Sequence, residues 1–158
     1  MQGNKPNMVT NMISKRIDSE CLSAYPVQSF HEARKRSRKR QVILYGAGKA
    51  CIDFLDHYES RFDIKGVTDK SEDKQGTFVR GTRGKTEYPV RWIGQFGREE
   101  MGNTVFIVTP VSNVCEIMEE LQKKGAKWIF SYYLMEATNP FFYLKYAGKM
   151  QADRNRRW

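Results

Sequence analysis

Gly46, Gly48, Lys49 and Asp69 are the residues whose types and spacing first suggest chemistry. The run Gly46-Ala47-Gly48-Lys49-Ala50-Cys51 reads as a GxGxx(G/A) loop, with a cysteine at the last small position. Glycines at this spacing let a chain leave a strand, turn tightly and enter a helix. Backbone N–H groups and the positive end of the helix dipole then converge on one spot, which suits a phosphate or another anion. Lys49 is placed to reach a phosphate or to face solvent from the first helical turn. Asp69 lies 23 residues beyond Gly46, at the end of an apolar run. In a dinucleotide-type βαβ unit an acid there accepts hydrogen bonds from ribose hydroxyls. Asp69 stands beside Lys70, so NAD-like and NADP-like riboses are both compatible with it. TPVSN (109–113) follows a further apolar run, on the edge where such sheets open to a ligand. Thr109, Ser112 and Asn113 are therefore candidate ribose or base contacts, with helix capping by Ser112 or Asn113 as the plainer reading. Arg80, Arg83 and Lys85 could clamp a second phosphate, but a solvated polar loop is the preferred reading.

No catalytic constellation is legible. The chain lacks the GxxxxGK(S/T) pattern of a P-loop. Cys21, Cys51 and Cys115 are widely spaced with no CxxC, and His31 and His57 are the only histidines, which argues against zinc and for reduced thiols. His57 and the acids Asp53, Asp56 and Glu59 fall within one helical segment and read as a solvated face.

The elements that must hold these residues alternate between strand and helix. Val42, Ile43 and Leu44 form a buried-strand run before the glycines. Cys51, Leu55 and Tyr58, with Phe54 beside them, make one apolar face of a helix from Lys49 to Tyr58 or Ser60. FDIKGVTD (62–69) is the next strand, and residues 70–88 read as a long polar loop or a weak hairpin. YPVRWI (88–93) suits a short edge strand, since Pro89 lacks an N–H. NTVFIVTP (103–110) is a buried strand and residues 111–125 a helix. Val114, Ile117, Met118 and Leu121 form that helix's buried face, and Gly125 its stop. AKWIFSYY (126–133) is the last strand. The expectation is an α/β fold, a three-layer parallel sheet of about five strands in the order 3-2-1-4-5.

Composition bounds the rest. With 158 residues, 40% of them hydrophobic and 13% aromatic, one globular domain is expected, and no apolar run is long enough to span a membrane. The first residues lack a secretory apolar core, so a cytoplasmic protein is expected. The net charge of +9 is uneven. Residues 1–40 carry nine Lys/Arg against three Asp/Glu, and the other 118 carry eighteen against fifteen. The domain reading is accordingly a basic arm over 1–40, an α/β domain over 41–135 and a tail over 136–158. Within the arm a short helix over 10–22 is allowed. Ser29 and Glu32 have the spacing of a capping box, so a helix is expected over 29–40. Six of the seven residues from Arg34 to Arg40 are basic. This run reads first as a solvated helix, second as a nucleic-acid or anionic-surface contact, and it could add to an anion-attracting field at the glycine turn. In the tail, Asn139 and Pro140 open a helix rich in Phe and Tyr over 139–158, which packs on the sheet or contacts a protein partner or second copy.

With LYGAGKAC, IKGVTD, YPV and VFIVTP in place, residues 40–135 resemble the Rossmann-like domain that precedes the left-handed β-helix in bacterial sugar-nucleotide acyltransferases. Similar domains occur in other polysaccharide-biosynthesis enzymes. VFIVTPVSNVCEIMEELQKKGAK also resembles NAD(P)-binding domains of sugar oxidoreductases. The likeness implies a nucleotide-sugar site, with Gly46, Gly48 and Asp69 at a uridine or ribose-phosphate contact. Cys51 departs from the usual small third residue, and Glu87 stands where a glycine precedes PV. The expectation is a nucleotide or nucleotide-sugar binding domain without a complete catalytic site of its own. The alternatives are an NAD(P)-dependent oxidoreductase subunit that acts with a partner, and an interaction protein that has lost the ligand.

Overall fold

A computed structural model describes residues 24–138. The expected helices over 10–22 and 139–158 and Cys21 lie outside them. Five helices flank one sheet: α1 (Phe30–Ser37), α2 (Lys49–Tyr58), α3 (Arg98–Gly102), α4 (Val114–Lys123) and α5 (Tyr132–Thr138). Six strands make the sheet: β1 (Gln41–Tyr45), β2 (Ile64–Asp69), β3 (Phe78–Val79), β4 (Tyr88–Trp92), β5 (Thr104–Val108) and β6 (Trp128–Ser131). Their order is β3-β4-β2-β1-β5-β6, and only β3 runs antiparallel.

The fold is thus α/β with a mostly parallel sheet, but the expected count of five strands and their order need correction. The sixth strand is β3, two residues drawn from what reads as a polar loop. Its signal is too short for periodicity to show. It pairs Phe78 with Pro89 and Val79 with Tyr88, and so moves β4 in from the edge. Pro89 is tolerated because Val90, not Pro89, donates across the pair, to the Thr77 carbonyl at 2.9 Å.

Alternate side chains of the central strands feed two cores. Val42, Leu44, Val105, Ile107 and Phe130 pack under α1, α2 and α5, where Phe54 is fully buried among Tyr58, Phe62 and Tyr132. Ile43, Tyr45, Phe106, Val108 and Ile129 face α3 and α4 through Met101, Met118 and Leu121. Ile64 and Val67 share one face, although three residues apart, because the β1–β2 register shifts at Lys65.

Helix ends follow local chemistry. The Ser29 side chain caps α1 by accepting the Glu32 N–H at 3.1 Å. At the end of α4, Gly125 (φ 107°) donates to Gln122 and Ala126 donates to Leu121, each at 3.0 Å. This is the double hydrogen bond of a Schellman stop, one residue beyond the Lys124 cap. The last strand is shorter than expected. Tyr132 and Tyr133 start α5 instead, and the Ser131 hydroxyl accepts the Leu134 N–H at 3.3 Å. Tyr132 is drawn inward to stack edge-on against Phe54 and to donate to Asp53 at 2.7 Å.

The segment before α1 guards the open edge of the sheet. The Gln28 amide donates to the Ile129 carbonyl at 3.0 Å and accepts the Ser131 N–H at 2.7 Å, as a further strand would. Removing that amide leaves both β6 groups buried and unpaired, at about 1–3 kcal/mol for each such group. Gln28→Ala should therefore lower the urea midpoint by the equivalent of about 2 kcal/mol, whereas an unchanged midpoint would show that water replaces the amide.

Candidate functional site

The chain leaves β1 at Tyr45 and turns at Gly46, whose φ of 97° favours glycine. A Cβ there would meet Pro110 at 2.8 Å and the Thr109 hydroxyl at 3.1 Å, so this glycine is required both by conformation and by close approach to the segment after β5. Gly48 is different. It caps α2 in an extended conformation (φ −115°), and the space beside it is open. It serves α2 as an N-cap rather than the turn itself.

Hydrogen bonds from three residues hold the turn. Gly46 donates to the Thr68 carbonyl at 2.8 Å. Ala47 donates to Asp69 Oδ2 at 2.9 Å. Thr109 donates its N–H to the Tyr45 carbonyl at 3.0 Å and its hydroxyl to the same oxygen at 2.8 Å. Asp69 is 8% exposed, and its other oxygen accepts the Ser71 N–H at 2.9 Å while Lys74 approaches at 3.4 Å. Burial pushes the Asp69 carboxyl up. The hydrogen bonds from Ala47 and Ser71 and the Lys74 ammonium together outweigh it, and the group ionises below the usual carboxylate range.

The donor inventory at the start of α2 follows. Gly46 and Ala47 have given their N–H groups to the fold, and Cys51 and Ile52 donate to the Gly48 carbonyl. Gly48, Lys49 and Ala50 are left as the orphan donors of a helix N-terminus, with no acceptor among the described residues. These three residues, with Gly46, Thr109, Pro110, Val111 and Ser112, line a cleft of about 400 Å³ at the carboxyl end of the strands.

Five of the seven candidate residues are therefore brought to one place: Gly46, Gly48, Lys49, Thr109 and Ser112. Thr109 is 1% exposed and its hydroxyl is spent on the turn. Asp69 lies beneath the turn as its clamp and does not line the cleft. Asn113 caps α4 by position, in a left-handed conformation (φ 57°) and without a side-chain capping bond. Arg83 lies at the far end of α2, where Thr82 binds Asp56 through its N–H (2.6 Å) and its hydroxyl (2.7 Å). Seven residues of helix, ~10 Å, separate Asp56 from Lys49. Arg80, Arg83 and Lys85 do not join the cleft lining. The basic run is also remote from the cleft, because α1 enters β1 at the opposite end of the sheet. It adds no short-range field there.

Asp53 and Asp56 lie on the exposed face expected of them and Glu59 is half-buried beside it, and all three also bind other segments. Asp53 receives the Tyr132 hydroxyl, Asp56 receives Thr82, and Glu59 receives the Tyr88 hydroxyl at 2.6 Å. Each ties a distant segment to α2, a role to which spacing within the helix gives no clue. Groups near the turn are held protonated. Burial first, and the Asp69 charge second, push the fully buried Cys51 thiol up to about 12. Burial, then Glu120 and Asp69, push the Tyr45 phenol up to about 12. Neither supplies an anion at neutral pH. Among the described residues no three His, Cys, Asp or Glu side chains gather as a metal site requires.

No family model, curated protein or solved structure matches the chain. The reading of the cleft rests on its own geometry.

Because folding lowers the Asp69 pKa, its contribution to stability is complete above the unfolded-chain value of ~3.9 and is lost as pH falls through the lower folded value. Asp69→Asn should cost about 1–3 kcal/mol at neutral pH. Denaturant unfolding should show a smaller loss of stability between pH 5 and pH 3 in the variant than in the wild type. Parallel pH profiles would assign the acid sensitivity to other carboxyls.

Proposed function

We propose that the chain is a Rossmann-like binding unit whose cleft takes a nucleotide or nucleotide sugar, as used in surface-polysaccharide biosynthesis. One observation carries this reading: the orphan N–H groups of Gly48, Lys49 and Ala50 open on the same cleft as the Gly46 turn, Lys49 and Ser112. A phosphate seated there completes the helix N-terminus and meets the positive end of its dipole. The absence of a Cβ at Gly48 lets an oxygen approach the backbone. The five parallel strands, with β3 set aside, follow one another in the order expected of such a fold. The sugar-nucleotide part of the reading comes from the sequence resemblance.

The engagement of Asp69 bears equally on a nucleotide sugar and a nicotinamide dinucleotide, since either would bring a ribose to it. A ribose diol seeking Asp69 has to compete with Ala47, Ser71 and Lys74 for a carboxylate that is nearly inaccessible.

Thermal-shift and calorimetric titrations with UDP-sugars, UDP, NAD(H) and NADP(H) test the reading. UDP-sugars should raise the melting temperature. Lys49→Ala should weaken their binding about tenfold, the equivalent of ~1.4 kcal/mol for one charged phosphate contact. Gly48→Val should abolish binding with the fold intact, since its extended backbone accepts any residue and nothing stands within 4 Å of the added Cβ. A shift confined to nicotinamide cofactors would transfer the cleft to the oxidoreductase reading. No shift with any of these compounds would leave the interaction-protein reading.

A further inference from the structure

The basic run of α1 divides into two faces. Arg36 and Arg40 turn toward the sheet, where both guanidiniums lie 4.6 Å from the centre of the Trp128 ring. Arg36 also pairs with Glu32 at 2.8 Å, and Arg40 donates to the Arg36 carbonyl at 3.1 Å. These two cations belong to the packing of α1. His31, Arg34, Lys35 and Arg38 recur at i, i+3, i+4 and i+7, all exposed, and form the opposite stripe. That stripe lines a groove of about 480 Å³ whose far wall carries Arg61 and Asp63.

The groove is short of negative charge. Its one acid, Asp63, pairs with Lys65 at 3.1 Å, and Glu32 on the same helix is held by Arg36. Arg34, Lys35, Arg38 and Arg61 form no ion pair with an acid among the described residues. Seven residues of helix separate His31 from Arg38, a row of ~10 Å. A single small anion wants donors converging on a point. A row this long faces about three successive phosphates of one strand. An anionic bilayer fits less well. A membrane-surface helix has to submerge its apolar face, whereas Ala33 is fully buried and Phe30 stacks on Tyr58 at 4.3 Å.

We infer that the groove between α1 and the Glu59–Arg61 turn binds the phosphodiester backbone of a nucleic acid without sequence preference, through Arg34, Lys35, Arg38 and Arg61. The contact is independent of the cleft at the glycine turn. It sits at the other end of the strands and survives whether or not that cleft takes a nucleotide.

Fluorescence anisotropy with the full chain and a labelled single-stranded oligonucleotide of mixed sequence tests the site. Log affinity should fall with log salt at a slope of about −3, as four phosphate contacts at about −0.7 each require. Arg34→Glu, Lys35→Glu and Arg38→Glu together should lower affinity at least tenfold and flatten that slope. These side chains are exposed, so circular dichroism and melting temperature should not change. Lys123→Glu, Lys124→Glu and Lys127→Glu, which change the net charge equally on the other side of the sheet, should stay within about twofold of wild type. Equal losses in both triple variants would reduce the effect to bulk charge. Absence of binding, or binding to phosphatidylserine vesicles but not to the oligonucleotide, would overturn the inference.

Discussion

Beneath the glycine turn, the Asp69 carboxylate accepts the Ala47 N–H with one oxygen and the Ser71 N–H with the other, and so bolts the end of β2 to the end of β1. A charged acceptor in a nearly buried position holds such bonds more tightly than a carbonyl does. With Ala47 fixed, the backbone has to pass Pro110 and Thr109 at a distance that only Gly46 allows. The helix then starts at Lys49, with its first donors given no acceptor among the described residues. The same charge acts on its surroundings, helping to keep the Cys51 thiol and the Tyr45 phenol protonated. One carboxylate therefore shapes the turn, while burial, more than its charge, keeps the Cys51 thiol and the Tyr45 phenol protonated.

That arrangement gives the two glycines of the motif unlike duties. Gly46 is a packing and conformational necessity, and a substitution there strains the fold whatever the cleft binds. Gly48 sits in ordinary extended backbone with open space beside it, as the N-cap of α2, a position that suits glycine.

Much of the α/β layout was legible because it rests on local repetition. The apolar runs of β1 and β5 and the face of α4 announce themselves within ten residues. Less legible were features made by residues far apart in the chain. Two residues at 78–79 become a strand only because β4 lies beside them. Tyr132 and Tyr133 leave strand geometry because Tyr132 finds Phe54 and Asp53 on another helix. Asp53 and Asp56 do lie on an exposed face, but their bonds, and that of Glu59, to Tyr132, Thr82 and Tyr88 come from other segments and leave no mark on helical spacing. At the cleft, sequence spacing located Gly46, Gly48 and Lys49 because motif residues are contiguous. It gave no sign of the bonds from Ala47 and Ser71 to Asp69, since strand-end position says nothing about which donors reach the carboxylate.

Strand direction separates the glycine turn from the basic stripe of α1. In a parallel sheet, segments that follow strands gather at one edge and segments that precede them gather at the other. The glycine turn follows β1, while the end of α1 precedes β1 and Arg61 precedes β2. The five residues of β1 put ~16 Å between those edges, beyond the ~8 Å over which charges act in physiological salt. Proximity in sequence suggests that the basic run adds to the field at the glycine turn, and the sheet uncouples them. What the fold gives the basic stripe instead is a fixed platform. Arg36 and Arg40 hold α1 against Trp128, Ala33 anchors it in the core and Gln28 ties its approach to β6. The remaining cations therefore project from a helix that is already in place, and a long anion need not order the helix in order to bind it.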